Sequence, residues 1–226
     1  MSEVELATTV FLDVDNTLLD NDRAKADLDR ELGALLGERG RVRFWQTYEA
    51  VRRDAGMVDI PMTLARFEAG ETSLARRAAL ADLFMRFPYA DYLFPGALAT
   101  IAQLRRSNRV AILSDGDPIF QPSKIWRAGL TAAVDGNAIV VDHKERRLPA
   151  VVATYPAGRY VLVDDKPGLL RAMAAALPAP TTTVFVRQGH YAADQAPAGW
   201  RPTVAIDAID HLAAIDLDAL EPSGAA

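Results

Sequence analysis

Acidic side chains follow three short apolar runs of the sequence, at positions where strands are expected to end. Residues 13–17 (Asp-Val-Asp-Asn-Thr) follow the first run, 114–117 (Ser-Asp-Gly-Asp) the second, and Asp164-Asp165 a later one. Because ligands of parallel sheets bind at the carboxyl ends of the strands, we expect these groups to converge. Carboxylates brought together repel each other unless a cation offsets their charge. Oxygen ligands, in a chain without Cys or clustered His, favour Mg²⁺ over zinc.

The pair Asp13 and Asp15 has the chemistry for phosphoryl transfer. One carboxylate can attack phosphorus and form an aspartyl-phosphate. A second carboxylate can protonate the leaving oxygen and then activate the water that hydrolyses the intermediate. The phosphate must also be held and its charge neutralised. The hydroxyl of Ser114 and the backbone N–H groups of Asp115 and Gly116 are candidates for holding it, and a lysine can add positive charge.

The elements expected to position these residues are strands that alternate with helices. Short runs rich in β-branched residues predict strands at 8–14, 110–114, 138–141, 160–163 and 182–186. Helical stretches are predicted at 96–107, 118–128, 149–154 and 167–176. This alternation predicts an α/β fold with a Rossmann-like parallel sheet covered by helices on both faces. A further strand from Thr203 to Ile206 and a helix from Ala208 to Ile215 are plausible.

One connection is far longer than a crossover between parallel strands requires. Residues from about 21 to 89 have almost no strand signal and are rich in Ala, Leu, Arg and Glu at helical spacing. We predict an all-helical cap over 20–91, inserted into a discontinuous core of 1–19 and 92–226. Aromatic residues of this insert, such as Trp45 and Tyr48, could form a face that contacts substrate. We favour their interpretation as its core, because aromatic residues at helical spacing are usually buried.

Composition excludes several classes of protein. The net charge of −5 and the absence of long basic runs argue against a nucleic-acid partner. The absence of cysteine excludes thiolate chemistry and disulfides. No apolar run approaches the ~20 residues of a membrane span, and the first residues lack the features of a signal peptide. We therefore expect a cytoplasmic protein without membrane contact, a monomer or a homodimer.

The order of the motifs resembles that of the haloacid dehalogenase superfamily. The resemblance consists of Asp-x-Asp-x-Thr at 13–17, then Ser114, then a lysine, then Asp164-Asp165. It covers the core, about residues 8–19 and 94–190. The family's helical cap lies between the first and second motifs, where this chain has its insert. Members that cleave carbon–halogen bonds lack the second Asp of the first motif, so the presence of Asp15 favours phosphate esters.

The resemblance implies a role for each matching residue. Asp13 would be the nucleophile and Asp15 the general acid and base. Mg²⁺ would bind the carboxylate of Asp13, the backbone carbonyl of Asp15 and Asp165, with Asp164 as a second or water-mediated partner. The phosphate would be held by residues of the first two motifs, namely Asn16, Thr17, Ser114, Asp115 and Gly116.

The active-site lysine has three candidates. Lys144 is favoured because its distance along the chain from Ser114 and Asp164 is similar to the family's spacing. Lys124 and Lys166 are the alternatives, the first on a predicted helix and the second beside the acidic pair. The segment around Lys144 departs from the commoner Lys-Pro pattern of the family.

The residues and the resemblance together indicate a Mg²⁺-dependent hydrolase of a small phosphorylated metabolite. A phosphomutase or phosphotransferase acting on sugar phosphates is the main alternative, because the same residues around the phosphate serve both reactions. A haloacid dehalogenase is disfavoured by Asp15. A non-enzymatic protein that accepts or binds a phosphoryl group is a further alternative, against which the full set of motifs argues.

Overall fold

A sheet of six parallel strands forms the centre of the protein. The computed structural model describes residues 8–68, 73–177 and 180–221. The strands are β1 (Thr8–Leu12), β2 (Arg109–Asp115), β3 (Ala138–Val141), β4 (Arg159–Asp164), β5 (Thr181–Val186) and β6 (Val204–Ile206). Their spatial order is β3-β2-β1-β4-β5-β6. The predicted α/β fold is confirmed, and β1 lies at the centre between β2 and β4.

The two faces of the sheet are packed against different helices. Along β1, Val10 and Leu12 contribute to one hydrophobic cluster, whereas Phe11 contributes to the other. This alternation follows from the pleat of a strand, in which successive side chains point to opposite faces. All three residues are nearly fully buried, as expected for a strand covered on both sides.

Most helices of the core lie close to their predicted positions, but one begins earlier than predicted and one short helix was not predicted. They are α4 (Ala97–Leu104), α5 (Phe120–Arg127), α6 (Leu130–Ala133), α7 (Lys144–Thr154) and α8 (Pro167–Ala176). Helix α7 begins before the predicted start at 149 and has Pro149 in its interior. Proline is normally disfavoured in a helix interior because it lacks the N–H donor. The sequence pattern therefore did not indicate the turns of α7 that precede Pro149. The predicted final helix is a 3₁₀-helix at Ile209–Ala214.

The described part of the predicted insert consists of helices. They are α1 (Asn21–Ala55), α2 (Ile60–Glu68), α3 (Leu74–Met85) and a 3₁₀-helix (Tyr89–Tyr92). None of the helices in the described residues is long and apolar enough to cross a membrane. The boundaries 20 and 91 stay a prediction.

Helix α1 folds back on itself at Gly37. This glycine has φ +69°, a left-handed value that ends a right-handed helix. Beyond it, the guanidinium of Arg41 donates to Asp29 at 2.7 Å, and the indole N–H of Trp45 donates to the same carboxylate at 2.6 Å. In one straight helix these residues would stand roughly 18–24 Å apart, so the two halves of α1 lie side by side.

The chain leaves the sheet and returns to it along one short ribbon. The backbone N–H of Asp20 donates to the carbonyl of Tyr92 at 2.8 Å, and that of Phe94 donates to Leu18 at 2.9 Å. Between these bonds, Leu19 and Leu93 form an antiparallel bridge. The two connections to the helical insert are therefore tied together directly beside the segment that contains Asp15.

Candidate active site

Three buried carboxylates meet at the carboxyl ends of β1 and β4. Asp13 follows β1, Asp164 is the last residue of β4, and Asp165 follows it. One oxygen from each lies within 4.8 Å of the other two. The relative exposures of Asp13, Asp164 and Asp165 are 4%, 1% and 0%. Burying three like charges together is costly unless cations compensate them.

Lys144 supplies one of these cations. Its ammonium contacts Oδ1 of Asp13 and donates to Oδ2 of Asp164 at 3.0 Å. Burial opposes the charge of Lys144, but the carboxylates of Asp13 and Asp164 outweigh that effect and raise its pKa, so the side chain stays charged. Lys144 is the first residue of α7, and its backbone N–H donates to the carboxylate of Asp115 at 2.8 Å. The first turn of α7 thus fixes the lysine against β2.

Asp165 is the carboxylate that remains uncompensated. Within the described residues, neither of its oxygens has a hydrogen-bond partner. Burial and the neighbouring charges of Asp13 and Asp164 raise its pKa to about 9. By contrast, Asp164 accepts from Lys144 and also from the backbone N–H of Lys166 at 2.9 Å. Two free buried oxygens beside Asp13 fit a divalent cation, for which these three aspartates could serve as oxygen ligands.

Asp15 lies beside this cluster but has different partners. Its Oδ1 contacts the ammonium of Lys124, and its Oδ2 accepts from the amide of Gln121 at 3.3 Å. The side chain of Asp15 is 28% exposed and lines the cavity beside the site. It can therefore reach both a bound ligand and solvent, as a group that moves protons must.

Two hydroxyl groups complete the polar surface around Asp13. The hydroxyl of Thr17 donates to Oδ2 of Asp13 at 3.3 Å. Ser114, at the end of β2, accepts from Gln121 at 2.9 Å. This leaves the hydroxyl hydrogen of Ser114 able to donate to a ligand oxygen.

Two residues predicted to contact phosphate have hydrogen-bond partners within the protein. The N–H of Gly116 donates to the carbonyl of Val141 at 3.1 Å, so the sheet already uses it. The amide of Asn16 points to Asp22 and His190, each at 3.3 Å, rather than to Asp13. Asn16 has φ +61°, which turns its side chain towards the start of the insert.

Gly116 serves the site in another way. A Cβ at this position would lie 2.6 Å from the Cβ of Gln121, so only glycine allows that close approach. The following turn is closed by Asp117, whose carboxylate accepts from the backbone N–H groups of Ile119 and Phe120 at 3.0 and 2.7 Å. These contacts fix the start of α5, the helix that carries Gln121 and Lys124.

A cavity of about 570 Å³ lies beside the site and is lined by Asp15, whereas the three clustered carboxylates are not among its lining residues. The insert contributes part of its wall, including Trp45, Tyr48 and Arg52, while Lys166 and His190 line it from the core. Trp45 and Tyr48 thus pack in the core of the insert and also line the cavity. Tyr48 is 8% exposed, and burial raises its pKa to about 12, so its hydroxyl stays neutral and able to donate.

The three candidate lysines occupy different places. Lys144 contacts Asp13, Lys124 contacts Asp15, and the ammonium of Lys166 lies 5.3 Å from the ring centre of Tyr191. Burial opposes the charge of Lys166, but nearby carboxylates, Asp13 first among them, raise its pKa. The site therefore contains three buried or half-buried cations.

Sequence reasoning missed Gln121, Asp22 and the interactions of His190. The backbone N–H and Nδ1 of His190 lie 2.7 Å from the two oxygens of Asp22, so the loop after β5 contacts the first turn of α1. The sequence did not indicate that Asp22 belongs to the site, because an acidic residue in the first turn of a helix is common. The position of Gln121 three residues before Lys124 could have indicated a shared helix face.

Comparisons with known proteins agree with this architecture. A family of haloacid dehalogenase-like hydrolases matches residues 7–186. A haloacid dehalogenase-like hydrolase from Burkholderia xenovorans LB400 is 37% identical and superposes with a TM-score of 0.85, over 93% of this chain and 99% of that one. The chain therefore belongs to the haloacid dehalogenase-like hydrolases. A search of curated proteins gave no match.

More distant structures share the fold. The HAD-hydrolase YfnB from Bacillus subtilis, whose structure contains magnesium, has a TM-score of 0.60 at 17% identity, over 92% of this chain and 97% of that one. The L-2-haloacid dehalogenase from Xanthobacter autotrophicus has a TM-score of 0.58 at 18% identity, with the same coverage. The fold thus occurs among dehalogenases too, so the fold alone does not define the reaction.

Proposed function

We propose that this protein is a Mg²⁺-dependent phosphatase that hydrolyses a small phosphorylated metabolite through an aspartyl-phosphate on Asp13. The observation that carries the proposal is the carboxylate of Asp15 in the wall of the cavity, beside the buried cluster of Asp13. Release of an ester oxygen requires a proton, and hydrolysis of the intermediate requires a base. Displacement of a halide, which leaves without a proton, requires no such acid.

The charges of the site support a phosphate rather than a neutral substrate. A carboxylate that attacks a phosphate anion needs cations to reduce the repulsion. Lys144 supplies one, and the two unpartnered oxygens of Asp165 indicate a place for another. Mg²⁺ held by Asp13, Asp164 or Asp165 and the carbonyl of Asp15 would neutralise charge on the phosphate oxygens.

Each of these residues then has a separate role in the reaction. An oxygen of Asp13 attacks phosphorus while the bond from phosphorus to the leaving oxygen breaks, and Asp15 gives its proton to that oxygen. Asp15 next takes a proton from water, whose oxygen attacks phosphorus and breaks the bond to Asp13. Ser114 donates a hydrogen bond to the phosphate, while the hydroxyl of Thr17 and the ammonium of Lys144 hold the two oxygens of Asp13 in place.

The helical insert supports a small substrate. Trp45 and Tyr48 of the insert line the cavity of about 570 Å³. A volume in this range is typical of sites for small molecules. Closure over such a cavity also limits the access of bulk water.

The test is a panel of phosphorylated metabolites assayed for release of inorganic phosphate, with Mg²⁺ and with EDTA. We expect hydrolysis that requires Mg²⁺ and is lost in Asp13→Asn. Asp218→Asn is the matched control, because it makes the same chemical change at an exposed position and should retain activity. Equal phosphate release by wild type and Asp13→Asn would contradict the mechanism.

Two parallel assays separate the alternatives. Chloride release from a 2-chloro acid without phosphate release would identify a dehalogenase. Transfer of the phosphoryl group to a second sugar phosphate, without release of phosphate, would identify a mutase.

A further inference from the structure

Lys124 is a buried cation without a role in the proposed reaction. Its side chain is only 4% exposed, although it lies at the edge of the cavity. A buried ammonium is costly unless charged or polar groups surround it, so its partners indicate why it is retained. Those partners are Asp15, the amide oxygen of Asn21 at 2.7 Å, and the ring of Tyr89, whose centre is 5.6 Å away.

Lys124 and Gln121 hold Asp15 from one face of α5. Lys124 contacts Oδ1 and Gln121 donates to Oδ2, so both oxygens of the carboxylate have a fixed partner. Residues three apart on a helix lie on the same face, which places the two donors together. The carboxylate is thereby restricted in rotation about its side-chain bonds, a restriction that Asp15 in its exposed position would otherwise lack.

The same ammonium connects the core to the insert. Asn21 is the first residue of α1, whereas Lys124 belongs to α5, which covers the sheet. Asp15 itself forms a backbone bridge with Leu19, directly before the insert. The orientation of Asp15 is consequently linked to the place where the insert begins.

We propose that Lys124 is a positioning residue that orients the carboxylate of Asp15 towards the leaving oxygen and, through Asn21, couples that orientation to the start of the insert. The inference rests on the proposed function, in which Asp15 is the general acid. Lys124 does not contact Asp13 and is therefore separate from the lysine that compensates the nucleophile.

The test compares two substrates of similar size, phenyl phosphate and p-nitrophenyl phosphate. The p-nitrophenolate group leaves without a proton, whereas the phenolate group leaves more readily when it is protonated. Only phenyl phosphate therefore strongly requires an oriented acid. We expect Lys124→Met to lower kcat/KM about 10- to 100-fold for phenyl phosphate and less than about threefold for p-nitrophenyl phosphate. KM should change little, because the phosphate contacts remain.

Two further variants complete the design. Asn21→Ala, which removes one anchor and keeps the cation, should show the same selectivity for the leaving group with a smaller loss. It also gives a result if Lys124→Met does not fold. Arg127→Met is the control, because it removes a positive charge from the same helix, and Arg127 donates to the backbone of Arg86 rather than to Asp15.

The outcomes separate this inference from the proposed function. Equal losses for both substrates, or no loss, in Lys124→Met and Asn21→Ala would overturn the positioning role while wild-type hydrolysis upheld the phosphatase. No phosphate release by the wild type from any substrate of the panel would overturn the proposed function and this inference with it. A greater loss for phenyl phosphate in both variants, with wild-type behaviour in Arg127→Met, is the expected result.

Discussion

Replacing Asp165 by asparagine should stabilise the metal-free protein and abolish its stabilisation by Mg²⁺. In the unfolded chain this carboxyl has an ordinary pKa of 3.8, whereas burial and the charges of Asp13 and Asp164 raise the pKa to about 9 in the folded protein. Both states hold the proton in strong acid. As the pH rises, the unfolded chain releases its proton first, so the free energy of unfolding decreases until the folded carboxyl ionises too.

The magnitude follows from this difference. While the folded carboxyl keeps its proton, each pH unit above the pKa of the unfolded carboxyl lowers the free energy of unfolding by up to about 1.4 kcal/mol. At about pH 8, the upper limit of the destabilisation is therefore about 6 kcal/mol. Relaxation around the buried charge reduces this limit. Asparagine is neutral at every pH, and its amide can donate to the neighbouring carboxylates. If only about 2 kcal/mol is recovered, the Tm of a protein of this size rises by about 4–8 °C.

The assay is thermal unfolding of wild type and Asp165→Asn in EDTA and in Mg²⁺, from about pH 5 to about pH 8. In EDTA, the advantage of the variant should grow with pH, and Mg²⁺ should raise the Tm of the wild type but not that of Asp165→Asn. Asp218→Asn, an exposed replacement, should behave as the wild type. A variant less stable than the wild type in EDTA at about pH 8, or one still stabilised by Mg²⁺, would refute the assignment of this carboxylate to the cation.

Three further results are expected. Lys144→Met leaves two buried carboxylates without their cation, so it should lower the free energy of unfolding by about 3–5 kcal/mol in denaturant titrations. Asp15→Asn should abolish turnover but preserve Mg²⁺ binding in titration calorimetry, because only its carbonyl is expected to serve the ion. Gly116→Ala places a Cβ 2.6 Å from that of Gln121, so kcat should fall about tenfold in steady-state assays while the fold, followed by circular dichroism, is kept.

The convergence of the acids could be predicted because it depends on topology alone. Asp13 and Asp164 each follow or end a buried apolar run, and parallel neighbours bring such ends together whatever the loops do. The separate roles of the three lysines depend on details that the sequence does not contain. The sequence places Lys124 on a predicted helix and Lys144 before another, and only the packing of α5 and α7 directs one to Asp15 and the other to Asp13.

Two details of the site depend on packing that the sequence does not reveal. Asn16 has a left-handed backbone, its amide is directed to Asp22 and His190, and the close packing of Gly189 against its side chain fixes that orientation. Asparagine tolerates this conformation better than most residues, but the sequence alone does not reveal when it adopts it. The first turns of α7 were concealed by Pro149, although they carry Lys144. Tertiary packing overrode the local preference in both cases.

The antiparallel bridge between Leu19 and Leu93 has a consequence for how this architecture tolerates change. Because the two connections are already joined there, the whole insert is a loop whose two ends lie next to each other at the sheet. Doubling the length of such a loop costs only about 0.6 kcal/mol of closure entropy. Helices can therefore be lengthened, shortened or grafted between these two leucines without reordering the strands. Residues that face the cavity from above can diversify while Asp13 and Asp165 stay where β1 and β4 place them.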